Sequence, residues 1–137
     1  MTVAAAVAFT WLGLVLGLSF LEAPLKFRAP GVTLQVGLGI GRLVFAALNR
    51  LEVLLAVAVW VALLTGHRST ASLAMAGVVV LVLIVQLAAV RPALTRRSDR
   101  VLAGEEGPRS RAHLVYIGLE VVKVAGLVGL GVAALAG

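Results

Sequence analysis

Polar breaks divide the chain into apolar stretches of unequal quality. Residues 3–21 run for 19 residues without a charge, enough as a helix to cross a hydrocarbon core of about 30 Å. No Lys or Arg precedes Lys26, and the stretch closes on Glu22-Ala23-Pro24 rather than a small-x-small cleavage site. It therefore reads as a retained first span and not as a signal peptide. Residues 71–90 supply 20 uncharged residues rich in Val and Leu and form the cleanest span, closed by Arg91-Pro92. Residues 114–136 form the last span.

The second span is harder to delimit. Residues 53–66 are uncharged, but 14 helical residues cover only about 21 Å. A crossing must therefore start near residue 47 and take in Asn49, Arg50 and Glu52. Before it, residues 29–41 are uncharged, 13 long, and open with Pro30-Gly31. One helix over 32–66 would measure about 52 Å, long for a single crossing. We expect a short interfacial helix before the second span, with a re-entrant piece or one long helix as the other readings. His67-Arg68-Ser69-Thr70 makes a polar turn, and residues 91–112 form a hydrophilic loop with turns at Gly104 and Gly107-Pro108. The predicted fold is an all-α polytopic membrane helix bundle in one domain, with spans at about 3–21, 47–66, 71–90 and 114–136.

Composition supports this pattern. Hydrophobic residues make up 61% of the 137, charged residues 13%, and the mean hydropathy is +1.10. A soluble domain carries about 25% charged residues, so this chain cannot cover a globular surface with polar side chains. A soluble enzyme, a nucleic-acid-binding domain and a disordered tail are poor readings, despite a pI near 11.4. With no cysteine there is no disulfide or thiolate chemistry, and the two histidines are too few for a histidine-rich metal cage. Nothing in the sequence implies a cofactor.

Charge sets the expected orientation. Ten of the 12 Lys and Arg fall in the first and third loops: Lys26, Arg28, Arg42, Arg50, Arg91, Arg96, Arg97, Arg100, Arg109 and Arg111. The positive-inside rule then puts those loops in the cytoplasm and both termini outside, in a multi-pass protein of the plasma membrane. Asp99, Glu105 and Glu106 offset part of the third loop's charge. The excess of positive charge over 91–111 suits anionic lipid headgroups, each near-surface cation contributing about 1 kcal/mol. Nucleic acid is not an expected partner.

Charges inside spans are costly and need a reason. At about 100° per residue, His113, Tyr116, Glu120 and Lys123 share one stripe of the last helix. Ala125, Gly129, Ala133 and Gly137 lie roughly opposite, on a small-residue face suited to close contact. Glu22 closes the first span, Asn49 and Glu52 open the second, and Gln86 and Arg91 close the third. All fall towards the cytoplasmic leaflet. A polar pocket for an ion or small solute would then draw on Glu120, Lys123, Glu52, Asn49, His113, Tyr116, Glu22 and Arg91. The plainer reading is that Glu120 and Lys123 neutralise each other at i, i+3, that Lys123 snorkels, and that Asn49, Arg50 and Glu52 are interfacial. No HxxE or ExxH spacing supports a carboxylate metal site on Glu52, Glu120 and His113, and no metal is expected.

Other signals are weaker. Gly13-x-x-x-Gly17 and Gly37-x-x-x-Gly41 are helix-packing motifs. The run Gly37-Leu38-Gly39-Ile40-Gly41 follows no strand and is not a nucleotide loop. Trp11 and Trp60 lie within spans rather than at the interfaces.

Trp11-Leu12-Gly13, then Ala23-Pro24 and Phe27, a glycine-rich stretch leading to Leu43-Val44-Phe45, and Arg91-Pro92 before the hydrophilic loop occur in an order that resembles a family of small bacterial four-helix membrane proteins known only as a domain of unknown function. The resemblance spans most of the chain through short motifs. It implies the architecture and no reaction, and no functional residue is carried over. Three function classes stay open. One is a transporter- or channel-like protein with a cytoplasm-facing polar pocket, working as a homo-oligomer. Another is a non-enzymatic accessory subunit of a larger membrane complex. The third is a small membrane enzyme acting on a lipid or isoprenoid, with Glu52 or Glu120 as acid or base.

Overall fold

A computed structural model of the chain describes residues 2–104 and 111–136, and all regular structure among them is helical. Four helices are long and apolar enough to cross a membrane: Val3–Arg28, Leu34–Thr65, Thr70–Leu102 and His113–Ala136. They form a ring in which the first packs on the second and fourth, and the third on the fourth and, more lightly, the second. The protein is thus an all-α, multi-pass membrane helix bundle. Glu105, Glu106, Arg109, Gly137 and the turn expected at Gly107-Pro108 lie outside the described residues.

Two of the expected boundaries are corrected. Residues 34–65 form one continuous helix, so there is no separate interfacial helix before the second span. At 32 residues it is about 48 Å long, well beyond a hydrocarbon core of about 30 Å. The surplus has a partner. The third helix also continues past its apolar stretch, through Arg91–Leu102, where a hydrophilic loop was expected. Arg42 joins the two extensions: its guanidinium pairs with Asp99, donates to Ser98 Oγ at 3.1 Å and reaches the Thr95 carbonyl at 3.4 Å. The charges that interrupt the sequence pattern therefore clasp helix ends together. The Arg91–Leu102 segment is amphipathic, with Val101 buried and Arg96 and Arg100 exposed.

The first helix ends at a turn that its sequence dictates. Val32 N–H donates to the Ala29 carbonyl at 3.2 Å, with Pro30 and Gly31 between them and Gly31 at φ +82°. This is a type II arrangement, in which proline presets the first central position and only glycine sits comfortably at the second. Thr33 then caps the second helix by accepting from Val36 N–H at 3.2 Å. The third helix opens with a reciprocal capping box. Ser72 N–H donates to Ser69 Oγ at 3.1 Å, and Ser69 N–H to Ser72 Oγ at 3.0 Å. Ser69→Ala removes one arm and should lower stability by about 1 kcal/mol, measured as an earlier midpoint in denaturing-detergent titration.

Two segments are π-helical, Leu16–Glu22 and Gln86–Val90. In each a backbone N–H reaches back five residues, Ala23 to Leu18 and Arg91 to Gln86. The wider turn before Pro92 explains how the third helix continues through a proline, since it relieves the clash with the preceding turn.

The apolar core fills the half of the bundle nearest the two termini, from Ala4, Ala8 and Trp11 across Val59 and Leu63 to Val79, Leu127, Leu130 and Ala134. Close approach on the fourth helix comes at Gly126 and Gly131 rather than along the expected 125–129–133 line. A Cβ at Gly126 would stand 2.8 Å from Val79 Cγ2, and one at Gly131 would strike the Phe9 ring. Gly129 does meet Met75, but Ala125 is exposed. The Gly37 and Gly41 pair packs under Phe27 and Lys26, whereas Gly13 and Gly17 have no neighbour a Cβ would meet. The outward faces carry Leu43, Leu54, Leu64, Leu81 and Leu135, as lipid-facing helices require.

Candidate functional site

A polar cluster sits below the core, and all four helices build it. Lys123 and Trp11 are 0% exposed, Glu52 and Glu120 1%, and Gln86 3%. The Lys123 ammonium stands 2.5 Å from Glu52 Oε2, 2.6 Å from Glu120 Oε1 and 2.8 Å from Gln86 Oε1. Those contacts use its three donors. Gln86 Nε2 donates to Glu120 Oε1 at 2.8 Å, and Trp11 Nε1 donates to Glu52 Oε2 at 2.9 Å. Glu52 and Lys123 face each other across the diagonal of the ring. Each lies about 20 Å along its helix from the Thr65 or Ala136 end, which puts the cluster towards the other end of the bundle.

Charge does not balance within this cluster. Two carboxylates face one ammonium, a formal net of −1. Glu120 Oε2 is buried and has no hydrogen-bond partner. In a medium of low dielectric an uncompensated charge is expensive.

A second polar tier lies roughly one to two helical turns nearer the Arg42–Asp99 clasp. The Arg91 guanidinium packs against the rings of both Phe45 and Tyr116, 4.7 and 4.8 Å from their centroids. The rings themselves meet edge to face at 5.9 Å. Lys26 Nζ lies 3.7 Å from Glu22 Oε2 and 5.8 Å from the Phe45 centroid. Tyr116 adjoins Ser19 and Arg91 in this tier and Glu120 in the first. Among the described residues, Ser19 Oγ, Glu22 Oε2, Arg91 Nη2 and Tyr116 Oη are buried atoms with no hydrogen-bond partner. Ser19 and Glu22 lie on one π-helical segment, and Arg91 follows the other. Wide turns of this kind recur where a helix must re-aim side chains at a functional site.

The expected site residues thus separate into groups. Glu52, Glu120 and Lys123 converge in the first tier, and Glu22, Arg91 and Tyr116 in the second. Asn49 does not join them. It lines an open groove of about 410 Å³ on the bundle surface with Arg50, Val53, Leu54 and Leu87. His113 is half-buried near the start of the fourth helix, about 10 Å along it from Glu120. Trp11 and Gln86 were not among the expected pocket residues. Gln86 carried a signal, as the one amide in the 71–90 stretch. For Trp11 the signal was an indole N–H within a span, a donor that needs a partner when buried.

No family model, curated protein or solved structure matches the chain.

Proposed function

We propose that the protein is a small transporter-like membrane protein that binds one monovalent cation, a proton in the first instance, at the Glu52–Glu120–Lys123 cluster and exchanges it with the cytoplasm. The observation that carries this reading is the buried net charge of −1 together with the unpartnered Glu120 Oε2. Balance against the second tier, about one helical turn away, still leaves Glu120 Oε2 without a hydrogen-bond partner. The two extra-membrane extensions and the polar second tier lie on the side of the first and third loops. The ten basic residues there support a cytoplasmic assignment for that side and an outside position for both termini. The apolar core closes the bundle on the other side, so the remainder of the path would be completed between copies in a homo-oligomer. The basic face of Arg91–Leu102 would rest on anionic headgroups.

Glu120→Gln keeps the side-chain shape and removes the charge. In proteoliposomes loaded with a pH-sensitive dye and driven by a potassium diffusion potential, the wild type should acidify or alkalinise the lumen with the potential. Glu120→Gln should slow that flux at least tenfold. Unchanged flux in a folded Glu120→Gln protein would overturn the reading. Flux that follows sodium and ignores pH would assign the site to a metal cation instead of a proton.

A further inference from the structure

We infer that the second tier, centred on Arg91, Tyr116 and Ser19, is the binding site for a small monovalent anion whose binding is coupled to that of the cation in the first tier. This rests on the cation-binding reading above and adds the class of the solute.

Charge counting comes first. The second tier holds Lys26 and Arg91 against Glu22, a formal net of +1. The first tier holds Glu52 and Glu120 against Lys123, a net of −1. Tyr116 belongs to one tier and adjoins Glu120 in the other, one turn or about 6 Å along the helix. With neither ligand bound, the tiers neutralise each other across that turn. A proton on the first tier cancels its −1 and leaves the second tier at +1, and a monovalent anion restores neutrality there. Each ligand thus lowers the cost of binding the other, which is a reciprocal coupling.

The donor set fits the same ligand. Arg91 Nη2 is buried and unpartnered, and the buried Tyr116 and Ser19 hydroxyls adjoin each other beside it; Tyr116 is 7% exposed. The Arg91 guanidinium lies 4.7 and 4.8 Å from the Phe45 and Tyr116 ring centroids, and its Nη2 has no hydrogen-bond partner. Glu22, the one carboxylate in the tier, is turned to Lys26. A guanidinium N–H with two hydroxyls is the donor set that carboxylates and halides share. Burial of all three atoms limits the ligand to a few heavy atoms.

The test uses the full chain in detergent, with sodium formate, sodium chloride and sodium sulfate compared at equal ionic strength. A ligand that binds only the folded state raises Tm with its concentration. Formate or chloride should raise Tm by several degrees where sulfate does not. Arg91→Gln should abolish the shift, and Glu120→Gln, which removes the net charge of the first tier, should enlarge it. Formate without chloride would identify a carboxylate site, and the reverse a halide site. An equal shift with sulfate, or a full shift in folded Arg91→Gln, overturns the inference. If Arg91→Gln does not fold, Tyr116→Phe with Ser19→Ala decides: retention of the shift overturns the anion site, and its loss supports it. Proton flux that persists without any anion response sinks this inference while the cation reading stands. An anion shift that Glu120→Gln leaves unchanged, in a protein without proton flux, sinks the cation reading and the coupling with it.

Discussion

Lys123→Met destabilises the bundle by about 3–5 kcal/mol, the usual cost of removing one member of a buried ion pair. Among the described residues the Lys123 ammonium is the one cation paired with both Glu52 and Glu120, and both carboxylates are almost completely buried. Without it two like charges face each other in a medium that screens them poorly. Methionine fills most of the lysine's volume, so the loss is electrostatic and not a cavity effect. Unfolding in denaturing detergent, followed by circular dichroism, measures it. Adding Glu52→Gln and Glu120→Gln should return stability to near the wild-type value, because replacing a whole buried ion cluster by neutral groups is close to neutral energetically. Failure of that rescue would show that the cluster's shape, and not its charge, holds the helices.

Trp11→Ala ranks next, at about 3 kcal/mol. The indole is fully buried and belongs to the apolar core and the polar cluster at once. In a bilayer the unfolded reference is itself apolar, so lost packing contributes more than lost burial from water. Trp11→Phe separates the two roles. It keeps most of the packing and deletes the donor to Glu52, for an expected loss of about 1–2 kcal/mol, near the upper end for interhelical hydrogen bonds in membranes. If Trp11→Phe proved as damaging as Trp11→Ala, the indole hydrogen bond would dominate this position.

The architecture was legible because a membrane span is written in length and hydropathy alone. Residues 3–21, 71–90 and 114–136 need nothing else, and each lies inside an observed helix. The second helix was misread for a physical reason. Arg42, Asn49 and Arg50 interrupt its apolar pattern, and a sequence cannot show that Arg42 is satisfied by Asp99 and Ser98, more than fifty positions away. The hydrophilic loop was misread in the same way, since Pro92 signals a break that the preceding π turn accommodates.

The site was half legible. The Tyr116, Glu120 and Lys123 stripe follows from regular helical spacing, and all three side chains are buried. Gln86 and Arg91 could not be placed by that spacing. Five residues apart, they would lie about 140° apart on an α-helix. In the π turn, where Arg91 N–H bonds to the Gln86 carbonyl, positions five apart come close to the same face. Glu52 looked interfacial beside Arg50, yet the two point to opposite sides of their helix: Glu52 into the bundle and Arg50 outwards. Only the packing of the first and third helices decides which of the two is buried.

The most direct test of the account combines stability and flux in one protein. Glu52→Gln/Glu120→Gln/Lys123→Met is uncharged in the first tier, and its midpoint in denaturing detergent should match the wild type. Reconstituted at equal density in dye-loaded vesicles, it should pass no protons under a potential that drives flux through the wild type. A stable triple variant without flux is the result expected of a charged cluster kept for binding a cation. Wild-type flux through the folded triple variant would contradict it.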